Sequence, residues 1–352
     1  MELQYKPDFD RARKYWRAFW DKEVIDRPLI SVTAPKTPSR PNGPRYMAGA
    51  DGNFIEPLQQ YEAYAAGTYF GGEAMPRFGI SFGPDQFSAF LGAELEYRLD
   101  VGTSWVKPFV ENWNEVEFVL EDNNPDWKRM LAFYETAAVY AEGKFLLDML
   151  DLHSHMDCLS AIRDPQKLCF DLMDCPDDVL AAMERVRPIY PQMYEAIYAA
   201  GDMENRGTIG WAPTYCEGRF AVIQCDFSAL ISPRMVRKFV IPAVAEEAAY
   251  LDHCLYHYDG KEALGHLDDI LAIDDIDAIQ WVPGDGNPRS VEWMDLLKKI
   301  QSAGKGLWIY DWTIDEIKQH YKELRPEGLL FQVGAKTQSE ADALIEWLRQ
   351  NT

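Results

Sequence analysis

Short apolar runs recur along the whole chain, and they lack the alternation of apolar and polar residues that marks a half-exposed strand. Uninterrupted runs of this length are typical of strands buried on both faces of a parallel sheet. The pattern predicts strands at Leu29–Val32, Phe78–Phe82, Phe145–Met149, Thr208–Trp211, Leu255–Tyr258, Ala278–Val282, Leu307–Tyr310 and Leu329–Val333.

Helical patterns separate the later runs. Ser232 is a favourable N-cap residue and Pro233 suits the first helical position, so a helix is predicted to begin there, with a kink at Pro242. Further helices are predicted at about 261–271, 291–302, 314–324 and 339–349.

Four consecutive strand–helix units in the C-terminal half indicate parallel crossovers. Eight predicted strands in 352 residues match the α/β class and the (β/α)8 TIM barrel, here a single domain over residues 1–352 with an N-terminal extension. The segment Gly83–Asn124 is interpreted as an insertion after strand 2, and the Pro- and Gly-rich segment Pro35–Gly52 as a long loop. A doubly wound open sheet is the alternative, although no GxGxxG follows a strand.

Composition narrows the function classes. Asp and Glu number 57 against 35 Lys and Arg, which gives a formal charge of −22. Such a charge repels nucleic acid and anionic membranes, so we expect neither as a partner. The charged start and the lack of a long apolar run predict a cytoplasmic protein. The six cysteines form no CxxC pair, so a zinc ribbon or finger is not expected.

In a barrel of this kind, chemistry lies just beyond the carboxyl ends of the strands. His257 and Asp259 are the sharpest pair there, because residues two apart on a strand face the same way. An imidazole and a carboxylate on one face suit a divalent metal or a general acid and base. A structural hydrogen bond that orders the loop before Gly260 is the alternative.

Other polar residues follow predicted strand ends. Glu217 is a candidate metal ligand or proton donor, or else forms a local ion pair with Arg219. His153 is a candidate catalytic residue, whereas one of His153 and His155 is an ordinary loop residue in the alternative reading. Residues placed to contact substrate at the mouth of a barrel are His155, Tyr215, Tyr258, Trp281 and Gln332. No GxSxG, Walker or HExxH motif is present.

Several motifs together resemble the uroporphyrinogen decarboxylase-like superfamily. They are Asp226-Phe227-Ser228 with Ile231-Ser232-Pro233-Arg234-Met235, then Leu255–Gly260, His266-Leu267-Asp268, Ala278–Trp281 and Asp171–Val179. The resemblance covers roughly residues 70–350 and implies a (β/α)8 barrel. It also implies one of two activities, the decarboxylation of a porphyrinogen without a cofactor or a cobalamin-dependent methyl transfer that uses zinc.

The methyltransferase branch fits better, because the arginine-rich RQAGRY pattern of the decarboxylases is absent. The zinc motif of that branch, His-x-Cys, is matched by His257, but Asp259 stands in the cysteine position and no cysteine follows Cys254. The resemblance therefore implies a metal bound through His257, Asp259 and Glu217, with zinc as the candidate and oxygen ligands in place of thiolates.

The sequence thus predicts a methyltransferase-like enzyme that demethylates a small methylated or methoxylated compound toward a corrinoid partner protein. His257, Asp259, Glu217 and His153 are its predicted catalytic residues. The alternatives are a decarboxylase or lyase acting on a small carboxylic acid, and a barrel that binds a small molecule without catalysis.

Overall fold

A computed structural model describes residues 2–98 and 102–352 of the chain. Its strands are β1 (Leu29–Pro35), β2 (Thr68–Gly72), β3 (Arg77–Phe78), β4 (Leu95–Arg98), β5 (Thr103–Val106), β6 (Leu146–Leu147), β7 (Thr208–Ile209), β8 (Tyr215–Cys216), β9 (Phe220–Ile223), β10 (His253–Asp259), β11 (Ala278–Val282), β12 (Gly306–Ile309) and β13 (Leu329–Gly334).

The α-helices alternate with many of these strands. They are α1 (Phe9–Trp20), α2 (Ile55–Ala66), α3 (Gln86–Phe90), α4 (Pro125–Ala141), α5 (His155–Arg163), α6 (Pro165–Asp174), α7 (Pro176–Val186), α8 (Ile189–Ala200), α9 (Met203–Arg206), α10 (Pro233–Met235), α11 (Ile241–Tyr250), α12 (Leu267–Leu271), α13 (Met294–Ser302), α14 (Ile314–His320) and α15 (Gln338–Asn351). Every helix within residues 2–98 and 102–352 is too short or too polar to cross a bilayer.

The main sheet contains seven strands in the order β2-β1-β13-β12-β11-β10-β9. All its pairs are parallel except β1 with β2, and β1 near the start of the chain pairs with β13 near its end, Leu29 opposite Leu330. β3 and β6 form a separate parallel pair. The predicted α/β class with a parallel sheet is confirmed, whereas closure of the strands into one barrel stays a prediction.

The predicted fourth strand needs correction. The run at Thr208–Trp211 contributes only the short β7, which pairs antiparallel with β8 and makes one parallel bridge to Asp148. The strand that pairs with β10 is instead β9, a four-residue apolar run that the sequence reading passed over. Both runs are short and apolar, and only the tertiary pairing distinguishes them.

The predicted helix start at Ser232 is confirmed, because the Ser232 side chain accepts a hydrogen bond from the backbone N–H of Met235. The expected kink is a turn of π-helix over Val236–Val240, directly before α11. Pro242 explains it, since proline has no N–H to donate to the preceding turn.

One side of the main sheet packs on α1 at the amino ends of the strands, and we call it the inner side. Trp16 and Trp20 of α1 belong to one apolar cluster with Leu255 of β10 and Leu330 of β13. A larger cluster, on the other side of the strands, lies against the surrounding helices. The carboxyl ends are left for the loops, of which the longest irregular one, residues 36–54, lies between β1 and α2.

Candidate functional site

β10 places its side chains on two faces. Leu255 packs into the inner cluster with α1, so His257 and Asp259, two and four residues further on, face the same inner side toward the carboxyl end. Tyr256 and Tyr258 belong to the outer cluster among the helices. The predicted same-face pair of His257 and Asp259 is therefore present.

A row of polar side chains crosses the inner face at the level of His257. Gln280 lies opposite His257 in the register of β10 and β11, and its Oε1 is 2.6 Å from His257 Nδ1. Because the amide oxygen can only accept, Nδ1 donates in this pair, and among the described residues Nε2 has no hydrogen-bond partner. The Trp211 ring packs edge-on against the imidazole, with centroids 5.2 Å apart.

His153 lies in the loop between β6 and α5. Its Nε2 is 3.2 Å from Asp151 Oδ2, and Gln224 Nε2 is 2.6 Å from the same ring atom. Burial opposes the charge, but Asp151, followed by Asp157 and Asp226, outweighs it and raises the pKa of His153 to about 10. A charged His153 donates from both nitrogens, so the Gln224 amide must then turn its oxygen toward the ring.

His153, Asp157 and Asp226 each offer one ligand atom, and these atoms lie within 4.8 Å of one another. The Asp157 carboxylate accepts hydrogen bonds from the backbone N–H groups of Asp226 (3.0 Å) and Phe227 (2.9 Å), which fixes it in place. Burial and then Asp226 raise the pKa of Asp157, because two carboxylates repel each other. A divalent cation would relieve that repulsion, so the donor set fits zinc and its neighbours.

These three residues line a cavity of about 470 Å³ that also contains Asp85. We call it the acidic pocket. Burial raises the pKa of Asp85. Burial also raises the pKa of Asp259, with His257 opposing and Asp226 adding to the effect. The charge of Asp226 thus acts on Asp259, which follows the neighbouring strand β10.

A second cavity, of about 340 Å³, lies beneath residues 43–48 of the long loop and contains Arg45 and Arg77. We call it the arginine pocket. Gln332, a predicted substrate contact, lines it together with Ser31 and Thr33, and accepts a 3.0 Å hydrogen bond from Trp308 Nε1.

The structure does not bring Glu217 to this site. Glu217 follows β8, and both Arg13 and Arg17 of α1 bind its carboxylate, which lowers its pKa. The adjacent Gly218 packs on Asp252, which directly precedes β10 and so marks the amino end of that strand. The structure thus separates Glu217 from His257, because Glu217 follows a short antiparallel pair and not a strand of the main sheet.

Tyr215 lies in the same amino-end region. Its backbone oxygen accepts a hydrogen bond from Trp20 of α1, and its hydroxyl donates to the backbone oxygen of Arg206. The side chain is buried, so the structure gives it a packing position and no contact with either pocket.

Tyr258 and Trp281 also lie away from the site. They are opposite each other in the register of β10 and β11, and both belong to the outer cluster among the helices. The strand alternation that turns His257 and Gln280 inward necessarily turns these neighbours outward. Neither side chain lines the acidic pocket or the arginine pocket.

His155 is buried behind the site. Its Nδ1 accepts a 2.8 Å hydrogen bond from the Met156 N–H, and its Nε2 is 3.6 Å from Glu247 Oε2. That separation is too long for a good hydrogen bond, and both groups are neutral at pH 7. Burial lowers the pKa of His155 to about 3, and burial raises the pKa of Glu247 to about 8. His155 therefore does not reach a substrate in either pocket.

The sequence reading missed Asp157, Asp226, Gln224 and Gln280 as members of the site. Gln224 and Asp226 had a usable signal, since they follow the apolar run of β9 as other site residues follow their strands. Asp157 had none, because it lies within α5 and meets Asp226 only through the tertiary fold.

No protein-family model matches the sequence, and neither does any curated protein. A solved structure does match. This chain is similar in fold to a methyltransferase from Methanosarcina mazei. The two share 13% sequence identity, with 97% of this chain and 98% of the other covered at a TM-score of 0.59. The superposition establishes a shared fold over nearly the whole chain, and at this sequence identity it establishes the fold alone.

Proposed function

We propose that the chain is a methyltransferase-like enzyme that removes a methyl group from a small methylated or methoxylated compound and passes it to a corrinoid protein. The fold shared with a methyltransferase supports the reaction class. The observation that carries the proposal is the cluster of His153, Asp157 and Asp226 in a cavity at the carboxyl ends of parallel strands. The proposal includes closure of the strands into a (β/α)8 barrel.

In the transfer, the corrinoid acceptor in its cobalt(I) state would supply the electron pair for the new bond to the methyl carbon, and the pair of the broken bond would stay on the heteroatom of the donor. The site must therefore neutralise a developing negative charge. A divalent cation such as zinc, once bound by His153, Asp157 and Asp226, would act as a Lewis acid on the heteroatom. His257, oriented by Gln280, has its Nε2 free to position the donor.

His153 can also neutralise the developing negative charge on the heteroatom, by donating a proton to it. Its raised pKa keeps it protonated at neutral pH, and a charged imidazole beside the leaving group can transfer a proton to it. The proton and the cation exclude each other at this ring, since a metal ligand must be deprotonated. We propose the cation form, and elemental analysis of the purified protein decides between the two.

The test is to mix the purified protein with cob(I)alamin and a panel of methoxylated and N-methylated small molecules, and to follow formation of methylcobalamin by its visible spectrum. Methylation that depends on the protein, and that Asp226→Asn abolishes, is the expected result. Release of carbon dioxide from a small acid without methylation would instead favour the decarboxylase alternative. Ligand binding without either reaction would favour a non-catalytic barrel.

A further inference from the structure

The arginine pocket has an unusual charge for this protein. Acidic residues outnumber basic ones by 57 to 35 in the chain, yet the lining of this cavity contains two arginines and no aspartate or glutamate. The acidic pocket, by contrast, is lined by Asp85, Asp157 and Asp226. A cavity without acidic residues in so acidic a protein is suited to an anion.

Arg77 forms the inner end of the pocket. Its Nη1 binds Asp148, and its Nη2 donates a 2.7 Å hydrogen bond to the backbone oxygen of Trp211. A guanidinium carries five N–H groups in a planar fork, so these contacts leave donors for a ligand. The Arg77 side chain is 27% exposed, whereas that of Asp148 is 4% exposed, so a ligand in the cavity meets the cation and not the carboxylate.

Arg45 forms the outer end. It lies in the long loop over the cavity, it is exposed, and within residues 2–98 and 102–352 it has no ion pair with an acidic side chain. The neighbouring Tyr46 hydroxyl accepts a 3.3 Å hydrogen bond from Ser81 Oγ, which ties this part of the loop to the end of the strand region after β3. The loop thus brings to the pocket lining a cation that has no ion pair in the described part of the chain, although Asp51 and Glu56 share a neighbouring cavity with it.

The walls between the two arginines are aromatic. Tyr61 packs against Tyr64 and Phe78, with ring centroids 5.8 and 5.6 Å apart. Ser31 and Thr33 add hydroxyl groups. Apolar rings with a few polar anchors are typical of a pocket for a ring-bearing small molecule, and a volume of about 340 Å³ leaves room for one substituted ring.

The arginine pocket is connected to His257 through Trp211. Arg77 holds the Trp211 backbone, and the Trp211 ring packs on His257. We propose that the arginine pocket binds the carboxylate of the methyl donor, and that the donor is a small aromatic carboxylic acid. The identification of the ligand as the methyl donor rests on the proposed function. The inference that the pocket binds a carboxylate rests on the cavity and its arginines alone.

The experiment is isothermal titration calorimetry with 4-methoxybenzoate and, as the uncharged counterpart of the same shape, 4-methoxybenzamide. The acid is expected to bind at least about tenfold more tightly than the amide, as one charge-assisted contact warrants. Arg77→Lys and Arg45→Gln should each weaken binding of the acid about tenfold and leave binding of the amide unchanged. Lys36→Gln, which removes a cation of the same loop outside the pocket, should change neither.

Equal affinity for acid and amide, or an unchanged affinity for the acid in both arginine variants, would overturn the inference. Arg45 is exposed, so its variant remains informative if Arg77→Lys fails to fold. The two proposals fail separately. Binding of the acid without methylation of cob(I)alamin overturns the proposed function and leaves the pocket intact. Methylation from uncharged donors alone, with no binding of the acid, overturns the pocket and leaves the function intact.

Discussion

The acidic pocket and the arginine pocket differ in how their charges are held. In the acidic pocket, backbone N–H groups and neighbouring side chains fix the carboxylates, and burial raises the pKa values of Asp85 and Asp157. In the arginine pocket, one cation is paired at the base and the other sits on a surface loop. The first arrangement suits an ion that must be held rigidly, and the second suits a ligand that must enter and leave.

The largest effect is expected from Asp226→Asn. Removing one carboxylate from the cluster should abolish stoichiometric zinc binding, measured by elemental analysis, and lower turnover on the order of 10³-fold. Glu217→Gln is the matched control, because Glu217 lies with Arg13 and Arg17 at the amino ends. Unchanged metal content in Asp226→Asn, or a comparable loss in Glu217→Gln, would contradict the assignment of the acidic pocket.

The second prediction separates the two pockets. Arg77→Lys should raise KM for an acidic donor about tenfold with little change in kcat, because the carboxylate contact is the same in the ground and transition states. Its zinc content should equal that of the wild type. Asp226→Asn should show the reverse pattern, with affinity for 4-methoxybenzoate retained. A loss of both properties in either variant would mean that the pockets act as one site.

The third prediction concerns pH. Burial, opposed by Arg77, raises the pKa of Asp148 to about 6, so above that pH the ionised Asp148 competes with a ligand for Arg77. Protonation of Asp148 releases Arg77, while a benzoate remains ionised. Affinity for 4-methoxybenzoate should therefore rise about tenfold between pH 7.5 and 5.5.

The control is to measure the affinity of the Asp148→Asn variant for 4-methoxybenzoate over the same pH range. Its affinity should vary little over the same range, because the competing charge is gone. If the affinity of Asp148→Asn changes with pH as much as that of the wild type, another group is responsible for the pH dependence.

The last prediction concerns Glu247, which lies behind the acidic pocket and affects stability instead of binding. Burial raises the pKa of Glu247 to about 8, well above the value of an exposed glutamate. Between those pKa values the folded state keeps a proton that the unfolded state loses, so stability falls as pH rises. Denaturant titrations should show the stability of the wild type falling relative to Glu247→Gln by about 1 kcal/mol per pH unit between pH 5 and 7. A constant difference would place the Glu247 pKa in its ordinary range.

Local chemistry predicted much of the C-terminal half. The Ser232-Pro233 cap and the helices between β10 and β13 lie where the sequence indicates, because capping and helical spacing are local properties. The fourth strand was misplaced because β7 and β9 both lie in short, largely apolar runs. Which one pairs with β10 depends on contacts that no local pattern encodes.

The site divides in the same way. Strand periodicity correctly put His257 and Asp259 on one face, and the same rule, applied to Tyr258 and Trp281, would have turned them outward. Glu217 lies away from His257 because the strand before it does not belong to the main sheet. The pairing of Asp157 with Asp226 joins α5 to the turn after β9, and a contact across 69 residues leaves no trace in spacing.

The partnership of β1 with β13 bears on how the chain is made. Leu29 pairs with Leu330, so an early strand finds its neighbour only after some 300 further residues have been added. During synthesis the β13-facing edge of β1 remains unpaired, and unpaired strand edges are prone to aggregation. Closing contacts this distant in sequence is also slow. A chaperone that covers the unpaired edge of β1 until translation passes residue 334 would prevent such aggregation. A chain truncated before β13 should accumulate as insoluble protein.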